Sequence, residues 1–78
     1  RLQTLPGELV EIVLAETMPW CGKTIRDLRV PKGSIIASVD RAGEVLVPTG
    51  DLALSPGDRL VIFALPGALN RLSALFRA

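Results

Sequence analysis

Two Gly-Asp pairs, Gly50-Asp51 and Gly57-Asp58, stand seven residues apart in VPTGDLALSPGDRLVIF, residues 47–63. Paired carboxylates at short spacing can serve general acid-base chemistry or hold a metal ion, but either task needs further groups. The chain has no His and one Cys, Cys21, so neither a Cys/His zinc centre nor an imidazole base can complete a site. The turn reading explains both pairs better. In Ser55-Pro56-Gly57-Asp58, Pro presets φ at the second turn position and Gly accepts the positive φ that a type II turn requires at the third. Pro48-Thr49-Gly50-Asp51 is built similarly, with Thr between Pro and Gly. Each Asp then stands where its carboxylate can accept from nearby backbone N–H groups.

Three other groups invite chemistry. Gly22-Lys23-Thr24 follows a strand pattern, as in a phosphate-binding loop, but that loop needs a glycine five residues ahead of its GKT. Thr17 stands there, and Pro19 removes one backbone donor. No G-x-G-x-x-G cradle for a dinucleotide is present. Cys21 has no His to activate it and reads as a small packed hydrophobe. Lys23, Arg26, Arg29 and Lys32 form a spaced basic run, either an exposed helix face or an anion site in which Arg forks onto phosphate.

The elements that must position these residues follow from periodicity. ELVEIVLA, residues 8–15, alternates Val10, Ile12 and Leu14 with Glu11 and Val13, the period of a strand. A loop, ETMPWCGK, follows, with Met18 and Trp20 placed as a lid over the core. TIRDL is expected to be a short helix capped by Thr24, with Ile25 and Leu28 on its buried side. SIIASVD, residues 34–40, reads as a strand with Ile35, Ala37 and Val39 on one face. The loop around Ala42-Gly43 makes it a hairpin with EVLV, residues 44–47. A very short strand is expected at residues 52–54. RLVIFAL, residues 59–65, is apolar on both faces, so it is either central and covered twice or lies at an interface. Pro66 suits a helix first turn, and Leu69, Leu72, Leu75 and Phe76 form its stripe, leaving Asn70, Arg71 and Arg77 to water. The fold class is α+β: a small, mainly β sheet of four to five strands, one short helix after the first strand and a C-terminal helix.

Composition bounds the function. The 78 residues make one domain, 49% hydrophobic, with net charge +1 from nine basic and eight acidic residues. That intermixed charge excludes a dedicated nucleic-acid binder. The longest uncharged run, residues 60–70, is broken by Pro66-Gly67 and too short to span a membrane. RLQTLPGE has no apolar core of a signal peptide. A chain opening on Arg1 is expected to be a piece of a larger protein.

The ordered set GKTIRDL, SIIASVDRAGE, VLVP and LSPGDRLVIF resembles the TrkA C-terminal domain, also called the C-terminal regulator of potassium conductance domain, over residues 10–76. The resemblance implies a non-enzymatic, cytoplasmic regulatory module of a potassium or other cation channel or transporter, at the inner face of the membrane. It further implies a homodimer that takes a small effector, in some members cyclic di-AMP, and no other cofactor or metal. The implied ligand region is Leu28, Arg29, Val30, Ser34, Ile35 and Ile36, and the dimer seam would use Ile25, Leu28, Val30, Ile35 and Ile36. Partners would be the membrane-embedded transport parts and no nucleic acid. The alternatives are a structural pairing domain without a ligand, or an effector domain attached to a transcription regulator.

Overall fold

A computed structural model describes residues 6–76. Four strands and one helix follow in order: β1 (Glu8–Val13), β2 (Ser34–Arg41), β3 (Glu44–Leu46), β4 (Arg59–Ala64) and α1 (Pro66–Leu75). The strands form one sheet in the order β1-β4-β2-β3, with every neighbouring pair antiparallel.

β4 is central, as its two apolar faces allow. Leu60, Ile62 and Ala64 on one face are buried. They meet Val10 and Ile12 of β1 and Ile36 and Val39 of β2 in register. α1 closes this face with Ala68 and Leu72, both 1% exposed, while Leu69, Leu75 and Phe76 pack partly against the same core. Pro66 sits in the first turn of α1, where its missing N–H costs nothing. Arg77 lies outside the described residues.

Sequence and structure part company at four places. The expected face of β2 is wrong: Val39 is fully buried but Ile35 is 63% exposed. The register with β4 shifts between Ile36 and Ser38, a bulge in which one extra residue resets the alternation. Ile36 and Val39, three apart, thereby share the inner face. The expected helix at TIRDL is only a 3-10 turn, Ile25–Asp27, and the Thr24 side chain makes no capping bond. Leu28 already returns to extended backbone, with φ −74° and ψ 146°. Thr24 is instead tied into a single antiparallel bridge with Ala53, flanked by Leu54 N–H to Lys23 O (2.9 Å) and Ile25 N–H to Leu52 O (3.0 Å). The short strand expected at residues 52–54 is that bridge. β1 ends at Val13, two residues early, because Ala15 enters a turn closed by Met18 N–H to Ala15 O (3.0 Å).

The β2–β3 hairpin has a two-residue loop, with Arg41 paired to Glu44. Ala42 and Gly43 take φ of 52° and 84°, the pair of positive angles that a type I′ turn needs. The Asp40 carboxylate accepts from Gly43 N–H at 3.0 Å. Trp20 is 3% exposed and meets Phe76 edge-on, ring centres 5.0 Å apart, so the loop after β1 is a lid on the core.

Candidate functional site

The head of β2 is built by a tight turn. Ser34 N–H donates to Pro31 O at 3.0 Å and Ser34 Oγ to the same oxygen at 2.6 Å. Gly33, at φ 91°, occupies the third position, where only glycine is unstrained. A Cβ there would meet Ala68 Cβ at 3.4 Å, ordinary contact, so it is the backbone angle that calls for glycine. Leu65 N–H to Gly33 O (2.9 Å) and an Arg71 guanidinium bond to Lys32 O (2.7 Å) pin this turn to the start and middle of α1. Gly33, Ser34, Ile35, Phe63 and Leu65 then line an open, apolar depression of about 300 Å³.

The structure divides the expected ligand and seam residues between two sides of the sheet. Ile35 lines the depression from the face away from α1; Ser34 lines it too, but stands in register with Ala64 of the inner face. Ile36, with Ile25, Leu28 and Val30, packs half-buried against the core on the inner face. Arg29 is exposed. Lys23, Arg26, Arg29 and Lys32 are all exposed, but no helix gathers them onto one face, because the 3-10 turn ends at Asp27. Phe63 and Leu65 were not singled out as site residues from sequence; the doubly apolar pattern of β4 was their signal.

The two Gly-Asp pairs differ. Gly57 has φ 88°, and Asp58 N–H donates to Ser55 O at 3.1 Å, which makes the second pair the type II turn expected. Its carboxylate is 1% exposed and accepts from Ser55 N–H (2.8 Å), Arg41 Nε (2.9 Å) and the Arg41 terminal nitrogen (2.8 Å). The Arg41 fork beside it holds Asp58 below the usual carboxylate range, against the opposing effect of burial. Arg41 also reaches Ala53 O at 2.8 Å, so one guanidinium joins the end of β2 to the chain entering β4. This pair, 17 residues apart in sequence, was invisible to turn reasoning. Gly50 has no positive φ, so the first pair is not a type II turn. Asp51 is exposed and lies below its usual range because the Thr49 hydroxyl donates to it at 2.7 Å. Among the described residues no cluster of three metal-ligating side chains forms. Both aspartates serve the fold.

The TrkA-C domain model matches residues 9–77. The chain belongs to the TrkA-C domain family. Among relatives, the Trk system potassium uptake protein TrkA of Azorhizobium caulinodans is 41% identical over 71 residues, covering 91% of this chain and 16% of that protein. The chain thus spans about a sixth of the length of this relative. Among solved structures, the RCK C domain of the potassium transport protein KtrA in complex with cyclic diadenosine monophosphate superposes with TM-score 0.72 at 28% identity. That match covers 87% of this chain and 81% of the other. The RCK_C domain dimer of S. agalactiae BusR in complex with c-di-AMP shares the fold, with TM-score 0.72 at 24% identity, over 92% of this chain and 96% of that one. The TrkA-C fold is therefore the frame in which the depression at the head of β2 has to be understood.

Proposed function

We propose that this TrkA-C domain is a non-catalytic, cytoplasmic regulatory module of a potassium or other cation transport system at the inner membrane face. It pairs with a second copy and takes a cyclic dinucleotide at the seam. The observation that carries this reading is the depression at the head of β2, where Ile35, Phe63 and Leu65 face solvent in a domain whose opposite sheet face is closed by α1. Its volume lies at the lower end for a small-molecule site, and two facing copies would double it. The lining is apolar, suited to the faces of purine rings. Ser34 belongs to the lining, and the exposed Arg29, proposed with it, would fork onto phosphate oxygens.

The proposed ligand set is Leu28, Arg29, Val30, Ser34, Ile35 and Ile36, with Ile25, Leu28, Val30, Ile35 and Ile36 along the seam. Of these, Ile35 stands with the depression, whereas the half-buried members pack behind it against the core. A ligand straddling two protomers binds the paired form preferentially and shifts the population by that difference in affinity alone. The likeness to an RCK C domain bound to cyclic diadenosine monophosphate supports the effector class. A net charge of +1 with scattered basic residues supports a module that does not itself contact nucleic acid.

The test is a thermal-shift titration with cyclic di-AMP, cyclic di-GMP and AMP, read beside light scattering. Cyclic di-AMP should raise the melting temperature by mass action and favour the dimer, and Ile35→Asp should lose both effects while staying folded. A dimer that ignores every nucleotide would instead mark a structural pairing domain. A monomer with no response would overturn the proposal.

A further inference from the structure

The free edge of β1, on the far side of the sheet from β3, runs beside a second apolar groove. Leu14 N–H donates to Asp58 O at 2.8 Å, and its register continues through Ile12↔Leu60, Val10↔Ile62 and Glu8↔Ala64. In an antiparallel ladder the backbone groups alternate in direction, so N–H and C=O of Leu9, Glu11 and Val13 point away from β4. Among the described residues no strand pairs with them. On the core side of this edge, Val10 and Ile12 together with Leu72, Ser73 and Phe76 of α1 line a groove of about 240 Å³. On the other side, Leu9 and Val13 are 69% and 48% exposed. Proteins usually blunt such an edge with charged side chains, Pro or a bulge; β1 is regular over six residues without Pro or bulge, and its only charges are Glu8 and Glu11.

We propose that this edge is a strand-addition site for an extended segment of a partner polypeptide, with apolar residues at alternate positions and Lys or Arg at its ends. Three outward pairs of backbone donors and acceptors call for an extended backbone; a helix has no free groups to offer them. The inward side chains of an added strand would enter the groove between β1 and α1, which has room for a few aliphatic side chains. The outward ones would extend the row of Leu9 and Val13. Glu8 and Glu16 flank the edge and neither is in an ion pair among the described residues, which favours basic ends on the partner. A second copy of this chain fits poorly. In the two-fold antiparallel register centred on Glu11, which is itself ion-paired with Arg59, Glu8 would face Leu14 and Glu16 would face Pro6, so neither gains a basic partner.

The probe is an octapeptide alternating Val or Ile with Thr and ending in Lys at both ends, titrated into the isotopically labelled protein and followed by amide NMR. The expected result is shifts at Leu9, Glu11 and Val13, with slowed hydrogen exchange of those amides. The same peptide N-methylated at the bridging positions should bind at least about tenfold more weakly, because it forfeits hydrogen bonds. Ser73→Phe, a change at an exposed helix position that fills the groove, should weaken binding similarly. Equal binding of methylated and unmethylated peptide would overturn strand addition, as would no response at millimolar peptide. Protection of the three outward amides in the protein alone, growing with its concentration, would mean that a second copy takes the edge and would also overturn the proposal.

Discussion

Replacing Asp58 by Asn removes a charge from the least exposed polar side chain among the described residues and keeps its shape. The carboxylate accepts three hydrogen bonds, two from the Arg41 fork and one from Ser55 N–H. An amide offers one oxygen for these three donors and turns its own NH2 toward another donor. A hydrogen bond to a charged group contributes about 1.5–3 kcal/mol, and breaking a fully buried pair costs about 3–5 kcal/mol. The Arg41 side chain is 38% exposed, so the freed guanidinium regains water and the loss falls below that range, at about 2–3 kcal/mol. For a domain of this size, total stability is about 4–12 kcal/mol, and the melting temperature should fall by about 10–20 °C. Urea unfolding read by the fluorescence of buried Trp20 measures it. The sign of the pH dependence provides an independent check. Asp58 is held below its unfolded value of about 3.9. Its contribution is therefore present above that value and is lost as pH falls through the folded pKa. The gap between wild type and Asp58→Asn should be widest near neutrality and shrink steadily below about pH 4. A cost under about 0.5 kcal/mol, or a gap unchanged between neutral and strongly acid pH, would refute the role given to the Arg41–Asp58 clamp.

Two further substitutions probe the fold elsewhere. Ala42 holds φ 52° at the first loop position of the β2–β3 hairpin, a conformation that Asn tolerates far better in a type I′ turn. Ala42→Asn should stabilise by about 0.5–1 kcal/mol, raising the melting temperature by a few degrees; an unchanged or lower value contradicts the turn assignment. Leu72 is 1% exposed and joins α1 to the sheet. Leu72→Ala should cost about 2–5 kcal/mol in urea unfolding, and a loss under about 1 kcal/mol would mean that α1 is not integral to the core.

The legible parts of the fold were those governed by local rules. Alternation marked β1, a run apolar on both faces marked β4, Pro66 and the Leu stripe marked α1, and Pro56-Gly57 marked a type II turn. The failures share one cause. The β2 bulge depends on how β4 pairs with residues 36–38, which no window of β2 alone encodes. The 3-10 turn at Ile25–Asp27 yields to the bridge between Thr24 and Ala53, a tertiary hydrogen bond that overrides a weak local helix preference. Arg41–Asp58 joins elements 17 residues apart. Its trace in sequence was an Arg at a strand end and an Asp in a turn, both of which looked adequately explained without each other.

The bulge also decides what the candidate site is made of. Simple alternation along β2 would have put Ile35 on the same face as Val39 and left Ile36 outside. Because the register shifts between Ile36 and Ser38, Ile36 joins Val39 in the core and Ile35 turns to the outer face beside Phe63. The outer side of the sheet thereby acquires a row, Leu9, Phe63 and Ile35, paired across three strands. This row has no layer over it among the described residues, whereas the inner row, Val10, Ile62 and Ile36, lies on the core side closed by α1. A sheet apolar on both faces normally sits between two layers. Here α1 supplies one, and a second layer over the outer face is what the proposed pairing requires. The head of β2 is where that requirement is sharpest, because Gly33 and Ser34 interrupt the apolar row with a small depression instead of a flat surface. A flat apolar row would favour any apolar partner of sufficient area. A depression lined by Gly33, Ser34, Ile35, Phe63 and Leu65 discriminates by shape, which a flat adhesive face cannot do.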